Sequence, residues 1–171
     1  MTNTTAPTIE SLRSVPAGDG DHHFFLNHLA TVKVAAGDSD SGLSLVEFTA
    51  PRGFGTPLHV HVEEDELMYV LDGEIQIGLG DDATVVSTGA VVTLPHGVAH
   101  IWQVLSEQAR ILTVNAGRRS RPSFDQFVEA LGTRTDPAAL PDPIDIDPAR
   151  VARVCAAHGI EVLGPPPPPL D

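Results

Sequence analysis

The segment Pro57-Leu58-His59-Val60-His61-Val62-Glu63-Glu64-Asp65-Glu66 places two imidazoles two residues apart and a carboxylate five positions after the second. Side chains at i and i+2 of a β-strand share a face, so His59 and His61 can aim two ring nitrogens at one point. Glu66 opens the apolar alternating segment Leu67 to Leu71 and so returns on the next strand. A third imidazole, His100, closes Val91-Val92-Thr93-Leu94-Pro95-His96-Gly97-Val98-Ala99-His100, an apolar run broken by a Pro/Gly turn. Three histidines and a carboxylate form a mixed nitrogen and oxygen donor set for one divalent transition metal ion, whether iron, nickel, cobalt, manganese, copper or zinc. Glu66 is preferred to Asp65 because it starts its strand in phase with Met68 and Val70. Glu63, Glu64 and Asp65 read as a solvated loop whose charge attracts a cation.

The remaining histidines lack such company. His22 and His23 are adjacent, so on a strand they point to opposite faces and cannot easily share an ion. His96 sits in the turn between Pro95 and Gly97 and reads as exposed, while His28 and His158 have no matching partner and default to packing or surface roles. Period-two alternation also indicates what surrounds the donors: Trp102 and Val104 share the face of His100, and Met68 and Val70 that of Glu66. These four residues form the expected substrate pocket, an apolar and partly aromatic wall. It suits a flat or hydrophobic small organic substrate better than a sugar phosphate or an oxalate dianion, because no arginine or lysine lies on these faces.

The elements that must position these residues are short β segments with turns between them. They run over 30–34, 43–49, 67–71, 75–79, 84–87, 91–94, 98–105 and 111–115, punctuated by Gly37 to Gly42, Asp72-Gly73, Gly80-Asp81-Asp82 and Thr88-Gly89. Close spacing without intervening helices predicts an all-β antiparallel sandwich or small barrel. Helices follow. Ser123-Phe124-Asp125-Gln126 reads as a capping box, with Phe124, Phe127, Val128 and Leu131 as one stripe before Gly132. After the proline-rich linker 137–143, Asp147-Pro148 opens a second helix with face Val151, Val154, Cys155 and His158, ending at Gly159. Both helices are expected to pack over the outside of the barrel. The chain thus divides into a loosely held arm (1–20), a barrel (21–118), a helical extension (119–164) and an extended proline-rich tail (165–171).

With 171 residues, one domain with a substantial core is expected. Ten Lys and Arg against twenty-three Asp and Glu give a net charge of −13, the wrong sign for nucleic acid or an anionic membrane. The single cysteine, Cys155, forms no intrachain disulfide, and with no apolar leader or long apolar span the expectation is a cytoplasmic protein.

The two ligand-bearing stretches together resemble the paired motifs of the cupin superfamily. The first reads Gly53, five residues, His59-x-His61, four residues, Glu66, six residues, Gly73; the second reads Gly89, five residues, Pro95-x-Gly97, two residues, His100. The family's last motif position is usually asparagine and here is Val104, which removes a polar group from near the site. The resemblance implies a single double-stranded β-helix, a jelly-roll barrel, with C-terminal helices. It also implies His59, His61, Glu66 and His100 as metal ligands, and a homodimer. Some small bacterial members of this kind are similar to quercetin 2,3-dioxygenases. That likeness implies an oxygenase in which the metal binds an enol or phenol oxygen and Glu66 serves as both ligand and base. The alternatives are a Lewis-acid cyclase or isomerase of a polyketide-like substrate, or a non-catalytic module that binds a small molecule.

Overall fold

The computed structural model describes residues 14–38, 41–117, 123–135 and 142–170. The first thirteen residues of the expected arm and most of the 137–143 linker lie outside them. Twelve strands and two helices follow one another in order: β1 (Asp21–Phe25), β2 (His28–Val34), β3 (Ser44–Pro51), β4 (His59–His61), β5 (Glu64–Asp72), β6 (Glu74–Leu79), β7 (Asp82–Ser87), β8 (Val91–Leu94), β9 (His100–Val104), β10 (Gln108–Gly117), α1 (Phe124–Leu131), β11 (Thr133–Arg134), α2 (Pro148–Ala157) and β12 (Ile160–Val162). They form a seven-stranded sheet, β11-β1-β2-β3-β10-β5-β8, and a five-stranded sheet, β12-β4-β9-β6-β7. Every pairing is antiparallel. This is the all-β antiparallel sandwich that the short, evenly spaced strands predict, of the jelly-roll type that the resemblance implies.

Alternation decides which side chains fill it. β3 buries Ser44, Val46, Phe48 and Ala50; β5 buries Glu66, Met68 and Val70; β10 buries Ala109, Ile111, Thr113 and Asn115. One core cluster joins Met68, Val70 and Ile111 of the larger sheet to Ile75, Ile77, Trp102 and Val104 of the smaller. Gly73, with φ +87°, makes the tight turn from β5 to β6, and a Cβ there would lie 2.5 Å from the Gln108 carbonyl oxygen. Glycine alone meets both demands.

The helices differ from expectation in where they pack. Their bounds are those the stripes and caps predict: the Ser123 amide donates to the Gln126 side chain at 3.1 Å, and the Asp147 carboxylate accepts from the Ala149 amide at 2.9 Å. They do not lie on the outside of the barrel. Phe124, Phe127, Val128, Leu131, Val151 and Cys155 join the inward Phe25, Val46 and Phe48 in a second core cluster, so both helices plug one end of the sandwich. The reason is the aromatic surface at that end: Phe124 meets Phe48 edge-on at 6.1 Å, and Phe127 meets Phe25 edge-on at 5.4 Å.

Beyond α2, Gly159 turns the chain into β12, which pairs with the ligand-bearing β4 in register Ile160 to His61 and Val162 to His59. Three residues carry too little alternation to announce a strand, and the open edge of β4 supplies the reason for one. The proline-rich tail then runs back against the barrel, where the Gln103 side-chain amide donates to the Pro168 carbonyl at 2.8 Å. At the other terminus, the Lys33 ammonium donates to the carbonyls of Pro16 and Asp19, which ties down the described part of the arm.

His28 is fully buried among Phe25, Phe48 and Phe54, and burial lowers its imidazole to about 4. The unfolded chain, with its histidine near the usual 6.5, binds more protons between those values. Stability is therefore lost as pH falls from about 6.5 to about 4, by about 3 kcal/mol for this residue. His28→Phe will flatten that part of the pH–stability curve in urea denaturation of metal-free protein. An unchanged slope would count against this assignment.

Candidate metal centre

Four side chains converge from three strands. His59 and His61 project from β4, His100 from β9 and Glu66 from β5 of the facing sheet, with His59 and His100 directly opposite each other in the ladder. One donor atom from each of the four lies within 4.8 Å of every other. The Glu66 Oε2 stands 3.6 Å from His61 Nε2 and 3.5 Å from His100 Nε2. Glu66, His61 and His100 are buried, and His59 is half-buried at the edge of a cavity.

The protonation states suit a cation. His59 donates its Nδ1–H to the Pro57 carbonyl at 2.8 Å, and His100 donates its own to the Val98 carbonyl at 3.1 Å. A carbonyl can only accept, so these bonds fix the tautomer that leaves Nε2 as a lone pair. Burial lowers the His59 imidazole to about 3 and lowers that of His61, so neither is charged at neutral pH. For Glu66, burial pushes the carboxyl up, and His100, His61 and His59 in their protonated forms pull it below its ordinary range. His100 Nε2 is buried with no hydrogen-bond partner among the described residues, a cost that a bound cation removes. The donor set therefore fits a divalent transition metal ion held by His59, His61, Glu66 and His100.

A cavity of about 450 Å³ opens onto this group. His59, His61, Glu66 and Trp102 form its metal end, and Phe25, Phe48, Phe54, Phe124 and Phe127 its aromatic walls. The C-terminal extension completes the lining with Val151, Cys155, Ile160, Val162, Pro165 and Pro166.

Of the four expected pocket residues, Trp102 lines this cavity. Met68, Val70 and Val104 belong instead to the core cluster beneath it, each with no exposed surface. The correction is one of depth. Alternation assigns a face, but each step of two residues also moves about 7 Å along the strand. Trp102 is one step from His100 and stays at the cavity, while Val104 is two steps away and Met68 and Val70 run from Glu66 into packed core.

Other histidines fall where their isolation suggests. His96 is exposed and its Nδ1 makes a 2.7 Å hydrogen bond with Asp65 Oδ1, and His158 donates Nδ1–H to the Val154 carbonyl. Two polar residues near the donors carry no site role in the sequence pattern. Asn115 stands opposite Glu66 in the β5–β10 ladder and is fully buried, with neither amide atom hydrogen-bonded among the described residues. Its signal was the inward set Ala109, Ile111, Thr113, Asn115, which ends on an amide. Glu64, assigned to a solvated loop, begins β5 with its side chain only 15% exposed, and burial pushes its carboxyl up to about 7.

Residues 46–115, which hold all four donors, match the cupin domain family. The chain carries a cupin domain. Over 97 residues the chain is 26% identical to quercetin 2,3-dioxygenase of Bacillus subtilis, covering 57% of the chain and 29% of that enzyme. Over 121 residues it is 29% identical to germin-like protein subfamily 2 member 4 of Arabidopsis thaliana, covering 67% of the chain and 54% of the relative. The chain thus spans from 29% to about half the length of the curated relatives it matches. Among solved structures, the polyketide cyclase RemF of Streptomyces resistomycificus superposes with a TM-score of 0.55 at 23% identity, covering 64% of this chain and 82% of that one. That likeness is one of fold. Among the described residues, no helix is long and apolar enough to cross a membrane.

Proposed function

We propose that this cupin is a metal-dependent oxygenase acting on a flat, apolar or aromatic enol or phenol. The observation that carries the reading is the aromatic cavity of about 450 Å³ with His59, His61 and Glu66 at one end. Phe54, Trp102, Phe124 and Phe127 offer ring faces to a planar substrate and exclude water from it. Glu66 is both ligand and general base: with Oε2 turned to the Nε2 atoms of His61 and His100, its carboxylate takes the proton of the substrate hydroxyl on the other oxygen, Oε1. A redox-active ion held by the four residues would supply binding of the deprotonated oxygen and access to dioxygen chemistry. The likeness to quercetin 2,3-dioxygenase supports this class of substrate. With a redox-inert ion, the same cavity favours Lewis-acid cyclisation or isomerisation.

The test is metal content of protein purified without added metal or chelator, followed by oxygen uptake with a panel of flavonols. Stoichiometric redox-active metal and substrate-dependent uptake are expected, with uptake reduced at least about a hundredfold in Glu66→Gln, the range associated with loss of a general base. Zinc with anaerobic turnover would replace the oxygenase reading with the cyclase one. Unchanged ligand recovered from a tight complex would leave a binding module.

A further inference from the structure

His61 differs from the other two histidines of the centre at its outer nitrogen. His59 and His100 each give Nδ1–H to a carbonyl of their own strand entry, Pro57 and Val98. His61 Nδ1 is buried with no hydrogen-bond partner among the described residues, and the group facing it is a carboxylate, Glu64 Oε2, at 4.0 Å. Its Nε2 faces Glu66 on the other side. If Nε2 gives its lone pair to a metal, Nδ1 must carry the proton, and a buried N–H requires an acceptor.

Glu64 is held for that task from two sides. Its carboxylate accepts the backbone N–H of Phe124, the first residue of α1, and the Phe124 ring lies 5.7 Å from the His61 ring. Behind it, Gly117 pairs with Glu64 in the β5–β10 ladder, and a Cβ at Gly117 would stand 2.5 Å from Glu64 Cγ. Gly117 does not have a positive φ, so the space rather than the backbone calls for glycine there. A partly buried carboxylate at the end of a ligand strand is costly unless something requires it.

We propose that Glu64 is a positioning residue of the metal centre: its carboxylate accepts the Nδ1–H of His61 and thereby fixes the ring with Nε2 toward the ion, while the N-terminus of α1 holds the carboxylate in place. The inference rests on the metal reading of the four donors. Closing from 4.0 Å to hydrogen-bond distance takes about 1 Å, within the reach of a side-chain adjustment. The arrangement makes a carboxylate–histidine–metal relay and ties α1, a wall of the cavity, to the centre.

The experiment compares parent, Glu64→Gln and Glu64→Ala for zinc affinity by chelator competition, for the visible spectrum of the cobalt-loaded protein, and for melting temperature with and without zinc. In Glu64→Ala, zinc affinity is expected to fall about tenfold to a hundredfold, the range for loss of such a partner. Glu64→Gln, which keeps an uncharged acceptor, should fall between that and the parent, and it supplies the comparison if the alanine substitution disturbs folding. Metal-free melting should stay at or above the parent's, with the loss confined to the zinc-induced increment, and the cobalt bands should shift. Unchanged zinc affinity and cobalt spectrum in both variants would overturn the proposal while sparing the metal reading. So would a loss of metal-free stability with affinity intact, which marks a purely structural role. A parent chain that binds neither zinc nor cobalt would overturn both.

Discussion

A His100→Ala chain will bind zinc about a hundredfold more weakly than the parent, while its metal-free form stays folded. A four-ligand zinc site is worth roughly 10–16 kcal/mol, so one ligand carries about 3 kcal/mol, or about two powers of ten in affinity. His100 is buried, its Nε2 has no hydrogen-bond partner among the described residues, and Glu66 Oε2 stands 3.5 Å from that nitrogen. Removing an orphaned buried nitrogen relieves a cost in the metal-free protein even as it opens a cavity. Chelator competition on matched samples gives the affinity, and circular dichroism checks the fold. Retention of metal at parental affinity would remove His100 from the donor set and leave three ligands in need of a different fourth.

The second large effect is expected far from the metal in sequence. Ile160→Asp should destabilise the protein by about 3 to 5 kcal/mol, because it removes a buried branched side chain and leaves a carboxylate among apolar groups. For a chain of this length that corresponds to a fall of about 10 °C in melting temperature. Ile160 is 3% exposed, joins the cluster that the helices form with Phe25 and Phe48, and stands opposite His61 in the β4–β12 pair. Losing β12 also frees the edge of the strand that carries His59 and His61, so zinc affinity should fall in the same variant. Glu161→Ala, one residue on and exposed, should change stability by no more than about 0.5 kcal/mol. Equal behaviour of the two variants would show that β12 does not brace β4.

Glu66 and His100 were candidates by residue type and strand position, and their convergence depends on how β4, β5 and β9 meet. His59 and His61 were readable as a pair because two-residue periodicity, a local rule, puts them on one face. The helix ends were readable for the same reason: caps such as Ser123 with Gln126 and Asp147 with Ala149 are made within a few residues.

What was missed depends on contacts between distant parts of the chain. Period two says that Met68, Val70 and Val104 point inward, but the depth at which packed core gives way to cavity is set by how two sheets and two helices meet. The amphipathic stripes of α1 and α2 announce that they must be covered, and only the aromatic end of the sandwich decides by what. Glu64 reads as a loop acid among acids until Gly117 and the Phe124 amide are beside it.

By itself, then, the sequence determined the strand rhythm, the turns, the caps and the shared face of His59 and His61, because each follows from steric and hydrogen-bonding rules acting over a few residues; the approach of Glu66 and His100 to that pair was decided by the meeting of β4, β5 and β9. The tertiary structure decided the cavity, the bracing of β4 by β12 and the seating of Glu64 behind His61. Those depend on free-energy differences between whole packings, which sum many weak contacts across the chain and leave no signature in any one segment.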